Sequence, residues 1–216
     1  MKKSTIASLL IIATSIVIAA VLFPSMPDKV ASHWNGQGEV NGYLSKFWGL
    51  FLMPIVSIVI FIFFLIIPKL EPLKENLKQF RKYFDRFTVL IELFLFYIFC
   101  LIVSWNLGVQ FNMTVALAPA LAILFYYSGE LISKTKRNYF IGVRTPWTLQ
   151  SDENWDKTNV LGGKIFKVAG GLFLLGLFFR GATFLIIVGT VIAAFIFLLI
   201  YSYILWRKTN VDHQQL

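Results

Sequence analysis

Three residues in the middle of the chain could recognise an anion or a protein surface. Arg144 carries a planar fork of N–H donors that suits a carboxylate or a phosphate. Trp147 and Trp155 supply large, rigid contact areas of the kind that dominate interfaces. They lie in residues 138–163, the longest polar stretch of the chain, NYFIGVRTPWTLQSDENWDKTNVLGG. No nucleophile stands beside a base in this stretch, so it predicts binding and not catalysis.

The local sequence predicts a stiff turn followed by a short interfacial helix. Pro146 fixes its own φ and pushes Thr145 into an extended conformation. Ser151 is a suitable N-cap. The helix after it is expected to end at Gly162-Gly163, with both tryptophans half in lipid or half in protein. The alternative is that the segment only closes the cytoplasmic side of a helix bundle. The predicted binding face comprises Asn138, Arg144, Thr145, Pro146, Trp147, Thr148, Trp155 and Asn159.

Two carboxylates, Glu92 and Glu130, fall within or at the end of apolar runs. A carboxylate inside a membrane is costly unless it is paired or neutral, so each is expected to face the bundle interior or the interface. Their candidate partners are Arg144, Arg137 and Lys134. We interpret the pairing as structural, and a role in ligand or proton handling is the alternative.

The other reactive side chains form no metal-binding or catalytic pattern. His33 has no cysteine or second histidine near it, which is weak evidence for a metal site. Cys100 lies in an apolar run, where packing is its expected role. The sequence contains no HExxH, GxSxG, P-loop glycine run or Cys–His pairing. We therefore predict no enzyme activity, no cofactor and no metal.

Composition places these residues in a membrane protein. Of the 216 residues, 57% are hydrophobic and 14% are charged, whereas soluble domains carry about 25% charge. The stretch 165–207 is too long for one helix across a hydrocarbon core of about 30 Å, so it is divided near Arg180. The fold class is therefore all-α and polytopic, with six transmembrane helices. Four are predicted at about 6–23, 47–67, 87–105 and 111–129, the fifth is short and begins near Gly163, and the sixth ends near Arg207.

The distribution of Lys and Arg predicts the orientation of these spans. Under the six-span scheme 17 of the 20 basic residues lie on the side of the two termini, and Lys29, Lys46 and Arg180 lie on the other. Basic residues accumulate on the cytoplasmic side. Both termini are therefore predicted to be cytoplasmic in a multi-pass plasma-membrane protein. The same bias accounts for the net charge of +9 without direct nucleic-acid binding.

Two further segments connect the spans. Residues 24–46 are predicted to form an outer loop because of their Pro and Gly content, with candidate contact residues His33, Trp34, Asn35 and Lys46. Residues 68–87 carry one apolar stripe at steps of four and three, formed by Leu73, Leu77, Phe80, Phe84 and Phe87. This stripe, flanked by basic residues, predicts an amphipathic helix that lies on an anionic leaflet, with partner binding as the alternative.

The chain is expected to comprise three units. Residues 1–67 hold two spans and the outer loop, and residues 68–86 form the cytoplasmic basic amphipathic helix. Residues 87–216 hold four spans and the cytoplasmic loop 131–164. We find no internal repeat and no separate soluble domain in the sequence.

Two passages together resemble a known family. The outer loop is similar to the DUF1648 domain in Pro24, Pro27, His33-Trp34-Asn35, Gly38, Gly42 and Ser45-Lys46. The central loop resembles the signature of the SdpI family in Asn138, residues 142–149, Trp155, Thr158-Asn159 and Gly162-Gly163. The second motif is the more specific because it is long and contains rare residue types. The resemblance covers nearly the whole chain.

This resemblance implies an integral protein of the bacterial plasma membrane with six spans. The best-known member of the family protects the producing cell from a secreted antimicrobial peptide and captures a DNA-binding autorepressor at the membrane. The resemblance therefore implies an immunity and signal-transduction protein. Its partners would be a peptide toxin at the outer face and a repressor at the cytoplasmic face, besides the lipid bilayer.

The residues alone leave another function open. In that alternative the protein is a transporter or a lipid-active membrane protein, and Glu92, Glu130 and Arg144 line a polar cavity open to the cytoplasm. A cavity that touches both carboxylates would favour this alternative. A solid bundle with two capped faces would favour the immunity protein.

Overall fold

The computed structural model describes residues 2–214, with side chains through Thr209. Within this part of the chain six helices are long and apolar enough to cross a membrane, which confirms the predicted fold class. They are α1 (Lys3–Leu22), α2 (Lys46–Leu70), α4 (Arg81–Asn106), α5 (Met113–Lys134), α7 (Asp152–Phe173) and α8 (Thr183–Gln214). The shorter elements are β1 (Lys29–Trp34), β2 (Val40–Ser45), α3 (Lys74–Gln79) and α6 (Pro146–Gln150).

The outer loop is more ordered than predicted, because part of it forms a β-hairpin. β1 and β2 are antiparallel, with Lys29 opposite Ser45. Gly38 adopts a φ of +80° in the connecting turn, a conformation that glycine takes at little cost. Val30 is fully buried and packs against α2 at Gly49, where a Cβ would lie 2.4 Å from the valine Cβ. Pro and Gly therefore mark the ends and the turn of a hairpin and not an irregular loop.

The amphipathic segment is divided between two helices and packs against protein. Phe80 ends α3 and precedes α4. Leu77, Phe80 and Phe84 are buried in a cluster with Ile67 and Leu131. The prediction that this stripe lies on lipid is therefore wrong for these three residues. The reason is that the central loop folds back over the stripe, with Phe140 and Ile141 packed against the cluster.

The helix after Ser151 continues into the fifth span and does not end at Gly162-Gly163, as was expected. α7 runs from Asp152 to Phe173 without interruption. A Cβ on Gly163 would lie 2.6 Å from the carbonyl oxygen of Gly129, and a Cβ on Gly129 would lie 2.4 Å from the carbonyl oxygen of Gly163. These glycines let α5 and α7 approach backbone to backbone, as small residues do in membrane helix pairs.

The helices pack as two groups that α4 and α5 join. α1 and α2 pack against α4, α7 packs against α5 and α8, and α4 contacts α5. α4 begins beside the central loop, where Phe84 packs near Phe140. It ends beside the hairpin, where Asn106 bonds to Ala31. The hairpin and the central loop therefore lie at opposite ends of the bundle.

This arrangement permits a test of the predicted orientation. Tyr43 on the hairpin and Tyr139 on the central loop are 58% and 50% exposed. In a Cys100→Ala background we expect Tyr43→Cys to react with an impermeant maleimide in intact cells. We expect Tyr139→Cys to react only after lysis, because the basic end should face the cytoplasm. Labelling of Tyr139→Cys in intact cells would reverse the orientation.

Candidate functional site

A buried asparagine shapes the start of the central loop. The Asn138 amide donates to the carbonyl oxygens of Lys136 and Ile141, each at 2.8 Å. Its Oδ1 accepts from the backbone N–H groups of Phe140 at 2.9 Å and Ile141 at 2.7 Å. Asn138 is fully buried, so it holds the turn and offers no surface to a partner.

Trp155 and Asn159 anchor the next part of the loop to α7. Trp155 is fully buried, and its Nε1 donates to the carbonyl oxygen of Thr135 at 3.2 Å. Asn159 Oδ1 accepts from the backbone N–H of Val143 at 2.7 Å. Between these contacts Gly142 has a φ of +122°, and a Cβ there would lie 2.7 Å from Asn159 Oδ1. The expectation that Trp155 lies half in lipid is therefore wrong, because the loop wraps over its ring.

The turn before α6 is closed by paired threonines and is tied to α8. The backbone N–H of Thr145 donates to Thr148 Oγ1 at 2.8 Å, and the N–H of Thr148 donates to Thr145 Oγ1 at 3.2 Å. Thr145 Oγ1 also donates to Ser202 Oγ at 3.1 Å. Both threonines are buried. The Thr-Pro-Trp-Thr sequence thus forms a capping box that fixes α6 against α8.

Three of the eight predicted binding residues reach the surface. Arg144 and Pro146 are exposed, and Trp147 is half-buried against Tyr203, with ring centroids 5.1 Å apart. The guanidinium of Arg144 donates through Nη1 to the carbonyl oxygen of Tyr139. Of the predicted binding residues, Arg144, Pro146 and Trp147 therefore form the exposed surface, and the buried residues hold it in place.

Glu71, which no sequence pattern singled out, connects the end of α2 to this loop. The side chain is fully buried. Its Oε1 accepts from the backbone N–H of Leu73 at 2.9 Å, and its Oε2 accepts from the backbone N–H of Tyr139 at 3.0 Å. The available signal was an acid between two prolines, Pro68 and Pro72, where one helix ends and the N–H groups at the start of the next helix need acceptors.

We expect Glu71→Ala to lower the free energy of unfolding by about 1–3 kcal/mol, because it leaves buried N–H donors without an acceptor. Glu71→Gln retains one carboxamide oxygen and should lose less. The matched control is Glu75→Ala, whose carboxylate is 81% exposed in an ion pair with Lys78 and should contribute little. The measurement is the denaturant midpoint of each of the three variants in detergent. Equal midpoints for Glu71→Ala and Glu75→Ala would contradict the role of Glu71 as a buried hydrogen-bond acceptor.

Among the described residues, neither carboxylate bonds directly to a partner that the sequence proposed, and Lys134 acts on Glu130 through its charge alone. Glu92 is fully buried and accepts a hydrogen bond from the Ser57 hydroxyl. Glu130 pairs with Lys167 at 2.5 Å. The expected partners, which were Arg144, Arg137 and Lys134, are thus replaced by residues on other helices. Spacing along the chain could not identify them, because α2 and α7 meet these carboxylates only in the folded bundle.

A cavity of about 310 Å³ lies beside Arg144, between α5, α7, α8 and the loop residues 142–145. Its walls are apolar apart from Arg144 and Thr145, and neither Glu92 nor Glu130 lines it. Neither carboxylate lines the two other cavities described on the bundle. None of these three cavities therefore supports the polar cavity on which the transporter alternative depended.

The outer candidate residues divide between exposed and anchoring positions. His33 is exposed and contacts Asn41. The Trp34 ring meets Trp105 edge-on at 5.9 Å. Asn35 Oδ1 accepts from two backbone N–H groups of the turn, and Lys46 pairs with Asp28 at 3.3 Å. Of these four residues, His33 is the one on the exposed surface of the hairpin.

Asn106 at the end of α4 fastens the hairpin to the bundle. Its Oδ1 accepts from the backbone N–H of Ala31 at 2.8 Å, and its Nδ2 donates to the carbonyl oxygen of Ala31 at 3.0 Å. Asn112, which caps α5, donates to the carbonyl oxygen of Gln37. The hairpin is therefore hydrogen-bonded directly to two spans, α4 and α5.

Both candidate regions fall in segments that match known families. Residues 134–202 match the SdpI/YfhL protein family, and residues 10–58 match a domain of unknown function, DUF1648. The Immunity protein SdpI of Bacillus subtilis (strain 168) is 25% identical over 209 residues, which are 96% of this chain and 98% of that protein. No solved structure matches the chain. The hairpin and the central loop, which lie at opposite ends of one six-helix bundle, thus fall in the two matched segments, and the chain is similar to the SdpI family along nearly its whole length.

Proposed function

We propose that this chain is an immunity protein of the plasma membrane that protects its cell against an extracellular antimicrobial peptide. The observation that carries the proposal is the similarity to an immunity protein along nearly the whole of both chains. The three units 1–67, 68–86 and 87–216 are proposed as its parts. The geometry favours binding at two opposite faces, since both the hairpin and the central loop are braced by buried hydrogen bonds.

The outer hairpin and the start of α2 are the proposed contact surface for the peptide. Tyr43, Phe47 and Trp48 are 58%, 48% and 49% exposed, and His33 lies on the same hairpin. Exposed aromatic residues of this kind supply binding energy to interfaces. Asn106 joins the hairpin to α4. Peptide binding at the hairpin would therefore favour one arrangement of the spans over another.

At the cytoplasmic face, Arg144, Pro146 and Trp147 form the proposed docking surface for a partner such as a DNA-binding repressor. This face is connected to α8 through Thr145 and Ser202 and to α7 through Trp155 and Asn159. Coupling of the two faces requires that the peptide and the partner prefer the same one of two helix arrangements. Arg144→Ala should then insert normally and weaken signalling.

A survival assay tests the protective function. Deletion of the gene should sensitise cells to the peptide toxin, and the wild-type chain should restore survival. With Tyr43→Ala and Trp48→Ala combined, we expect the concentration that kills half the cells to fall by about tenfold, as for loss of an interface hot spot.

The control for this assay is Tyr126→Ala on α5, since Tyr126 is 57% exposed but lies away from the hairpin. Each variant's membrane content is measured by immunoblot. Unchanged sensitivity on deletion would reject the immunity function. Full protection by the double hairpin variant would reject the hairpin as the contact surface.

A further inference from the structure

We propose that the cavity beside Arg144 binds one anionic phospholipid, with part of an acyl chain between α5, α7 and α8 and the headgroup phosphate on the Arg144 guanidinium. The cavity has a volume of about 310 Å³, within the range of small-molecule sites and sufficient for part of a lipid chain. This binding does not depend on recognition of a toxin.

Aromatic side chains indicate where Arg144 lies relative to the bilayer. The ring centroids of Trp147 and Tyr203 are 5.1 Å apart, and those of Tyr203 and Trp206 are 6.3 Å apart. Trp and Tyr are enriched where the hydrocarbon meets the headgroups. Arg144, three residues before Trp147, is therefore placed at the depth of lipid phosphates, whichever side of the membrane this end faces.

The cavity extends from this boundary into the hydrocarbon region. At its loop end Thr145 bonds to Ser202 of α8, and at its far end the wall includes Val191. Val191 and Ser202 are about 16 Å apart along the axis of α8, which is about half of a 30 Å hydrocarbon core. The cavity therefore lies within a single leaflet, and its Phe125, Phe166 and Leu198 walls suit an acyl chain.

Charge at the loop end of the cavity favours a phosphate. Lys136, Arg137 and Lys167 at this end of the bundle each pair with a carboxylate. Arg144 has no carboxylate within 4.0 Å among the side chains described through Thr209. Its Nη1 is held by the Tyr139 carbonyl, which orients the guanidinium and leaves other N–H donors for a phosphate. Basic pockets between membrane helices bind anionic headgroups in this way.

Native mass spectrometry of the purified protein in a non-ionic detergent tests the proposal, with phosphatidylglycerol as the probe. We expect one retained lipid per chain and weaker binding of phosphatidylcholine with the same acyl chains. Arg144→Gln should weaken phosphatidylglycerol binding about fivefold. Ala194→Phe, which places a ring in the cavity, should remove the bound lipid. Lipid-free melting temperatures establish that both variants are folded.

The chain offers matched controls for both substitutions. Lys164→Gln removes an exposed charge on α7 outside this cavity, and Ala193→Phe places a ring in a different groove of α8. Both should bind phosphatidylglycerol like the wild type. Binding by Arg144→Gln and Ala194→Phe that equals the wild type would show lipid at the protein surface only and would overturn the proposal. Displacement of the lipid by glycerol phosphate at equal concentration would overturn it too, since the site would then take a free phosphate.

Discussion

Trp155→Ala is expected to lower the free energy of unfolding by about 3–5 kcal/mol, the range for truncation of a buried tryptophan. The side chain is fully buried, and its Nε1 is bonded to the Thr135 carbonyl oxygen, so truncation would leave both a cavity and an unpaired carbonyl. The ring also supports the backbone at Gly142, which turns the loop toward Arg144. The measurement is the denaturant midpoint in mixed micelles, followed by circular dichroism.

Trp147→Ala is the matched control for this prediction. Trp147 is half-buried and meets Tyr203 at 5.1 Å, so we expect a loss of only about 0.5–1.5 kcal/mol from the aromatic contact. We expect this substitution to weaken binding of the cytoplasmic partner strongly, although it lowers the free energy of unfolding only slightly. If the two alanine variants unfolded at the same midpoint, Trp155 would not be the anchor of the central loop.

Gly163→Val is expected to separate α5 from α7 and to cost about 3 kcal/mol or more, at the upper end of the range for overpacking. A Cβ at this position would lie 2.6 Å from the Gly129 carbonyl oxygen and 2.7 Å from the Ser133 Cβ. The nearest of these atoms belongs to backbone, so a rotamer change cannot relieve the overlap. Lower yield of monodisperse protein and a lower melting temperature are the expected readouts.

The control for this prediction lies on the same helix. Gly171 has open space where a Cβ would extend, so Gly171→Val carries the same change of helix propensity without the overlap. We expect it to melt within a few degrees of the wild type. Equal losses for Gly163→Val and Gly171→Val would assign the effect to glycine's backbone freedom and not to the close contact of α5 with α7.

The sequence by itself determined the number of membrane-length helices and the residue at which the helix after Ser151 begins. Apolar runs of membrane length predict six helices because each run is continuous along the chain, and residues 2–214 contain six such helices. The N-cap at Ser151 was predictable too, since its hydroxyl accepts from the N–H of Asn154 three residues on at 3.2 Å. Such bonds join neighbours in sequence, so residue types and spacing suffice to predict them.

Only the tertiary structure decided which residues of the predicted site are surface and which are support. Trp155 and Trp147 lie in the same polar stretch of the sequence, yet one is fully buried beneath the loop and the other is half-buried at the surface. The pairing of Glu130 with Lys167 likewise depends on how α5 meets α7. Helices that are apolar on every side carry little periodicity to mark an inward face. Which residues are buried therefore depends on contacts between residues that are far apart in the sequence. In membrane proteins such contacts form where small side chains let helices approach each other.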